Sequence, residues 1–236
     1  HQAIAAHIDK EIKKISKKPI THIIATHFHT DHHLGASYFK GAKVISTEYT
    51  AKRIQENPTA MVESMARRTG HPLKNDFPVT PHKQLKQNIR KKMTINGVPF
   101  ELITPAVAHT QGDLMVYLPE DQVLASGDVM VHKVNPNSHD GNLKSWLTVL
   151  AEIRKLPVKV AMPGHGALMK AKDIADFEIF MTDFYKAVLT TFNEGGDMSD
   201  VRKRVNLDAW KKRARYEHMI GRNISAVWLQ VEEENF

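Results

Sequence analysis

The chain has 236 residues, 42% hydrophobic and 25% charged, which suits one large domain or two small ones built on a real core. It contains no cysteine; disulfides and thiolate metal ligands are therefore excluded, while cytoplasmic and exported (periplasmic) locations are both compatible with the composition. The net charge of +7 suits small anionic substrates, but lysines spread along a helix read as a solvated face, so nucleic acid is not the expected partner, and no apolar run reaches the ~18 residues of a membrane span.

The opening stretch, HQAIAAHIDKEIKKISKK, is charged and amphipathic rather than a secretory leader, as an already processed chain would also be. Ile4, Ile8, Ile12 and Ile15 recur at helical spacing, which predicts a helix over 2–17 that Pro19 stops. The β-branched run 20–26 predicts a buried strand, 42–47 a second strand, and 48–56 and 59–70 two helices, the latter with Gly70 as its C-cap. Residues 71–92 carry little pattern and read as an exposed connection. Asn96-Gly97 marks the turn of a hairpin over 92–104, and Glu120-Asp121 separates a strand pair at 113–119 and 122–128. A helix follows at 142–156, a strand at 158–166, and from 171 onward the pattern is helical: a long helix closed by Gly195-Gly196, then helices near 198–204, 206–218 and 221–233. Alternating strands and helices give an α/β class, divided into a catalytic domain over 1–170 and a C-terminal helical extension over 171–236 packed on the same domain.

Polar residues sit just after four of the predicted strands. The first set is His27-Phe28-His29-Thr30-Asp31-His32-His33, four imidazoles and a carboxylate in seven residues. His109 lies in AHTQGD, Asp128 in SGD and His165 in PGHG. Strand ends are rigid places from which side chains can converge. Imidazole and carboxylate without sulfur suit zinc, with iron or manganese as alternatives. A catalytic cation would lower the pKa of a coordinated water from 15.7 to about 7, and two cations could share it and clamp a substrate oxygen.

HFHTDHH, followed in order by AHTQGD, SGD and PGHG, resembles the metallo-β-lactamase superfamily over about residues 20–168. The resemblance implies an αββα sandwich. It implies that His27, His29 and His109 hold one zinc ion, that Asp31, His32 and His165 hold a second, and that Asp128 bridges them. Asp31 would also orient the nucleophile and relay its proton as the catalytic carboxylate. The implied activity is hydrolysis, with a metal-bound hydroxide attacking an ester, thioester, lactone or lactam carbonyl of a small molecule. His33 lies outside the ligand pattern and reads as a supporting or packing residue. The loop 130–142 after Asp128 is polar and rich in turn formers, and its Lys133, Asn135, Asn137 and His139 are candidate substrate contacts.

The sequence departs from the family at one place. Members usually carry strands before the first helix; here the chain opens on that helix, so the N-terminal strands are expected to be missing. Asp128 stands where some zinc β-lactamases have cysteine, and the pattern is closer to glyoxalase II, lactonases and a quinoprotein-relay or SoxH-like group. A phosphodiesterase or nuclease is the first alternative, disfavoured because only 36 residues separate Asp128 from His165. A mononuclear-iron sulfur dioxygenase is the second.

Overall fold

The computed structural model describes residues 1–235. The described residues form two compact units, 1–89 and 90 onward.

In the first unit, α1 (Gln2–Ile15) precedes a parallel three-stranded sheet of order β1-β2-β3, formed by His22–Ile24, Lys43–Thr47 and Lys83–Leu85. Two 3-10 turns, Thr30–His32 and Leu34–Tyr38, connect β1 to β2. The α1 helix buries Ala5 and Asp9, while Ile4, Ile8 and Ile15 are 55%, 47% and 90% exposed. The isoleucine spacing thus marks the helix without marking its buried face; Ala5 meets Gly35 because two small residues let backbones approach closely. Thr47 caps α2 (Glu48–Glu56) by accepting from the Thr50 N–H at 3.1 Å. Pro58 opens α3 (Pro58–Thr69), and Gly70, at φ 69°, closes it as expected. Ala25, Ala36 and Val44 form one small core, and Leu34, Met65 and Leu73 another. The connection read over 71–92 contains β3, whose Lys-Gln-Leu has no strand signal of its own; parallel pairing with Ile45–Thr47 makes it a strand.

The second unit holds a five-stranded sheet of order β4-β5-β6-β7-β8: Ile89–Ile95, Val98–Thr104, Met115–Leu118, Val123–Val131 and Val160–His165. Asn96 (φ 53°) and Gly97 (φ 82°) make the expected tight turn between β4 and β5. β5, β6 and β7 run antiparallel; β8 joins β7 in parallel after crossing through α4 (Leu143–Arg154), which Asn142 caps through the Ser145 N–H at 2.8 Å. Helices α5 (Ala171–Asn193), α6 (Met198–Arg204), α7 (Leu207–Lys211) and α8 (Tyr216–Asn235) complete the unit. Their Phe177, Phe184, Trp210 and Val227 share one core with Leu124 and Met130 of β7 and Trp146 of α4. The helix expected over 206–218 stops at Lys211, and α8 begins at Tyr216 rather than 221. Residues between them leave the helix because Ala214 bridges Val134 and the Asn135 amide donates to the carbonyls of Trp210, Arg213 and Ala214. Among the described residues, no helix is long and apolar enough to cross a membrane.

Candidate metal centre

The HFHTDHH turn lies in the first unit. β1 ends at Ile24, and the chain then coils so that four polar side chains crowd together. His27 is fully buried, its Nδ1 lies 3.1 Å from the Thr26 hydroxyl, and its Nε2 lies 3.1 Å from His29 Nδ1. The His27 and His32 rings sit 4.2 Å apart. Asp31 places one oxygen 3.5 Å from His32 Nε2 and the other 3.6 Å from the Arg68 guanidinium of α3. At 3.1 Å one of the His27 and His29 rings donates its N–H to the other's lone pair, the roles being set by the tautomers; the same nitrogens are of the kind that ligate a cation.

His33 props this turn from below. It is buried and its Nε2–H donates to the Phe28 carbonyl at 3.0 Å. Burial pulls its pKa down to about 4, opposed by that hydrogen bond. The folded pKa lies below the unfolded value of about 6.5, so the unfolded chain takes up the proton first. His33 therefore contributes stability that is fully present above pH 6.5 and lost as pH falls toward 4, about 3 kcal/mol at 1.36 kcal/mol per pH unit. Asp113, in the second unit, works in the opposite sense. Burial raises its pKa to about 7 against two hydrogen bonds from Thr110, so the folded state holds its proton longer and gains stability as pH falls below 7. The His33 term is isolated by difference: in metal-free protein, His33→Gln is expected to lose less stability than the parent between pH 6.5 and 4 in denaturant titrations. Equal losses would rule the term out.

Three further candidate ligands lie in the second unit. His109 follows β5 and is 1% exposed. Its Nδ1 lies 3.0 Å from the Asn137 carbonyl. A carbonyl only accepts, so the proton sits on Nδ1 and neutral His109 presents a lone pair at Nε2. That nitrogen faces Asp128 Oδ2 at 3.6 Å, and His165 Nε2 faces the same oxygen at 3.4 Å. One carboxylate oxygen thus looks at two imidazoles. Asp128 lies on β7 and His165 at the end of β8, and the parallel pairing of these strands brings them together. Trp146 of α4 supports the group, with its ring edge-on to His109 at 5.5 Å and its Nε1–H donating to the Val129 carbonyl at 2.9 Å.

Gly164 of PGHG has a steric reason to be glycine. A Cβ there would run into Asp128 Oδ1 and come within 2.8 Å of the Gly127 carbonyl carbon. Gly164→Ala is expected to push Asp128 aside, destabilise the second unit by about 1–3 kcal/mol, and lower the metal content of purified protein. Thermal denaturation and elemental analysis check this; a variant with unchanged metal content would show that Asp128 tolerates the displacement.

The four candidate substrate residues have separate fates. Lys133 (φ 56°) borders a cavity of about 400 Å³ with Phe180, Phe184, Trp210 and Arg213, and His109, Asp128 and His165 do not line it. Asn135 is buried and spends its amide donors on three carbonyls of the α7–α8 connection. Asn137 supplies the carbonyl that orients His109. His139 is exposed, and its N–H donates to Asn137 Oδ1 at 3.3 Å. Sequence reasoning missed Trp146 and Asn223. The only available signal for Asn223 is a polar residue among the apolar core positions Ile220, Ile224 and Val227 of α8.

The chain is similar to several known proteins. The chain is 25% identical to a type 2 metallo-β-lactamase of Bacillus cereus over 162 residues, covering 66% of this chain and 55% of that protein. It is 28% identical to the 2,4-dinitroanisole O-demethylase subunit alpha of Nocardioides sp. (strain JS1661) over 168 residues, covering 70% of this chain and 46% of that one. The chain spans about half the length of these curated relatives. Among solved structures, a stereoselective inverting sec-alkylsulfatase from Pseudomonas sp. superposes with a TM-score of 0.74 at 20% identity, over 95% of this chain and 43% of that one. A metallo-β-lactamase from Pontibacter korlensis superposes with a TM-score of 0.56 at 24% identity, over 75% and 76%. These likenesses establish a mixed α/β fold whose sheets and helices are those of an αββα sandwich. The sequence pattern of the metallo-β-lactamase superfamily matches residues 2–165, and the chain belongs to that superfamily.

Proposed function

We propose that the protein is a metal-dependent hydrolase, with one cation held by His27, His29 and His109, a second by Asp31, His32 and His165, and Asp128 shared between them. The observation that carries this reading is the single Asp128 oxygen facing the Nε2 atoms of His109 and His165, at 3.6 and 3.4 Å. That is the layout expected of a bridging carboxylate. The donor set fits the group: imidazole nitrogens and carboxylate oxygens, a His109 tautomer fixed with its lone pair inward, and a glycine that makes room for the carboxylate. Zinc suits these donors best, with iron or manganese as alternatives.

A divalent cation, if held there, would supply acidified water and a polarised substrate oxygen. The chain's own residues do the rest. Asp31, with one carboxylate oxygen 3.5 Å from His32 and the other 3.6 Å from Arg68, is the group we assign to orient the nucleophilic water and relay its proton. The substrate is a small molecule with an ester, thioester, lactone or lactam carbonyl, and the basic chain favours an anionic one.

The test is elemental analysis of purified protein joined to a hydrolysis panel. The expected result is about two zinc ions per chain and turnover of a carbonyl substrate, abolished by a chelator and restored by zinc. Well under one metal per chain, with no hydrolysis gained on adding zinc, would sink the reading. The panel also carries a phosphodiester and a secondary alkyl sulfate, the latter being the substrate class named for the Pseudomonas enzyme. Turnover of either one alone would replace the carbonyl assignment. Iron with oxygen uptake would point to dioxygenase chemistry.

A further inference from the structure

We propose that Asn223 of α8 is a positioning residue that sets the orientation of His109, an inference that rests on reading His109 as a metal ligand. Asn223 is fully buried. Its Oδ1 accepts from the Ser138 N–H at 2.9 Å, and its Nδ2 donates to the Pro136 carbonyl at 2.9 Å. The Ser138 N–H belongs to the same peptide group as the Asn137 carbonyl, which accepts from His109 Nδ1 at 3.0 Å. A trans peptide is planar, with its N–H and C=O pointing in opposite directions. Asn223 and His109 therefore grip opposite ends of one rigid plate. Rotating that plate breaks both bonds at once and frees the imidazole to turn its Nε2 away from Asp128.

The placement of Asn223 argues for this role. It lies among Ile220, Ile224 and Val227, where the core is apolar and an amide is costly unless fully paired. Simple anchoring of the loop is supplied elsewhere. Asn135 ties it to the α7–α8 connection. Gln230, two turns along α8 on the same face, donates to the carbonyls of Ser138 and Gly141 and accepts from the Leu143 N–H. Of these three amides, Asn223 is the one bonded to the plate that touches His109.

The experiment compares Asn223→Ala with Val227→Ala, a core truncation on the same helix that leaves the loop untouched. Two quantities are read below the melting temperature: zinc affinity by competition with a chromophoric chelator, and solvent exchange of the His109 Nδ1–H by NMR in metal-free protein. Asn223→Ala is expected to weaken zinc binding about 10-fold, the scale of outer-sphere substitutions, and to speed that exchange. Val227→Ala is expected to lower the melting temperature while leaving both at parent values. Asn223→Asp is the second variant. It keeps an acceptor for the Ser138 N–H, and its carboxyl, which complete burial favours in the neutral form, keeps an O–H donor for the Pro136 carbonyl, so it should retain slow exchange and near-parent affinity. If the alanine variants at 223 and 227 match in affinity and exchange, or if Asn223→Asp exchanges as fast as an unbraced imidazole, the proposal is overturned. Parent protein that binds no zinc refutes the metal reading, while the exchange measurement still decides whether Asn223 fixes the ring.

Discussion

Asp128→Asn is expected to lower kcat/KM at neutral pH by about 10³-fold or more, about 4 kcal/mol of transition-state stabilisation. The side chain keeps its shape, so packing against Gly164 survives. What changes is charge and donor count. The carboxylate oxygen that faces both His109 and His165 becomes either a neutral amide oxygen or an amide NH₂ whose protons point at the place a cation would occupy. Without metal, the variant is expected to be at least as stable as the parent, because an ionised carboxylate only 7% exposed is costly without its cation. With zinc, the parent should gain thermal stability by mass action and the variant much less. Melting curves with and without zinc, read beside metal content, test this. A variant that binds the full complement of metal and turns over at the parent rate would remove Asp128 from the centre.

Trp146→Ala should carry the largest stability cost, about 3–5 kcal/mol, or a fall of about 10 °C in melting temperature for a chain of this size. Trp146 is completely buried and is among the largest side chains of the second unit's core. Its removal leaves a cavity beneath the sheet, strips the Val129 carbonyl of its donor, and takes away the ring that stands edge-on to His109. Trp146→Phe keeps most of the packing and loses the N–H, so about 1–2 kcal/mol is expected. Thermal and denaturant unfolding of metal-free protein measure both. An alanine variant within about 1 kcal/mol of the parent would mean that the site collapses without strain.

Much of the fold is legible because its signals are local. The bounds of α2 and α6, the turn at Asn96-Gly97 and the stop at Gly70 follow from capping, positive φ and periodicity within a few residues. The failures are non-local. β3 exists through its pairing with β2, and the helix read across 206–218 breaks because Asn135 and Val134, some 80 residues earlier, capture the backbone near Ala214. Asn135 read as a substrate contact for the same reason: a polar residue in a turn-rich loop looks alike whether it faces solvent or caps buried carbonyls.

By itself the sequence determined which candidate donors are present, the order of the motifs and the α/β class, since residue types and periodic patterns need no folded context. Tertiary structure alone decided which tautomer His109 holds, which carboxylate oxygen meets two imidazoles, and which buried amides brace the loop between β7 and α4. Those features depend on side chains meeting backbone groups up to 92 residues away, and no short window of sequence contains both partners.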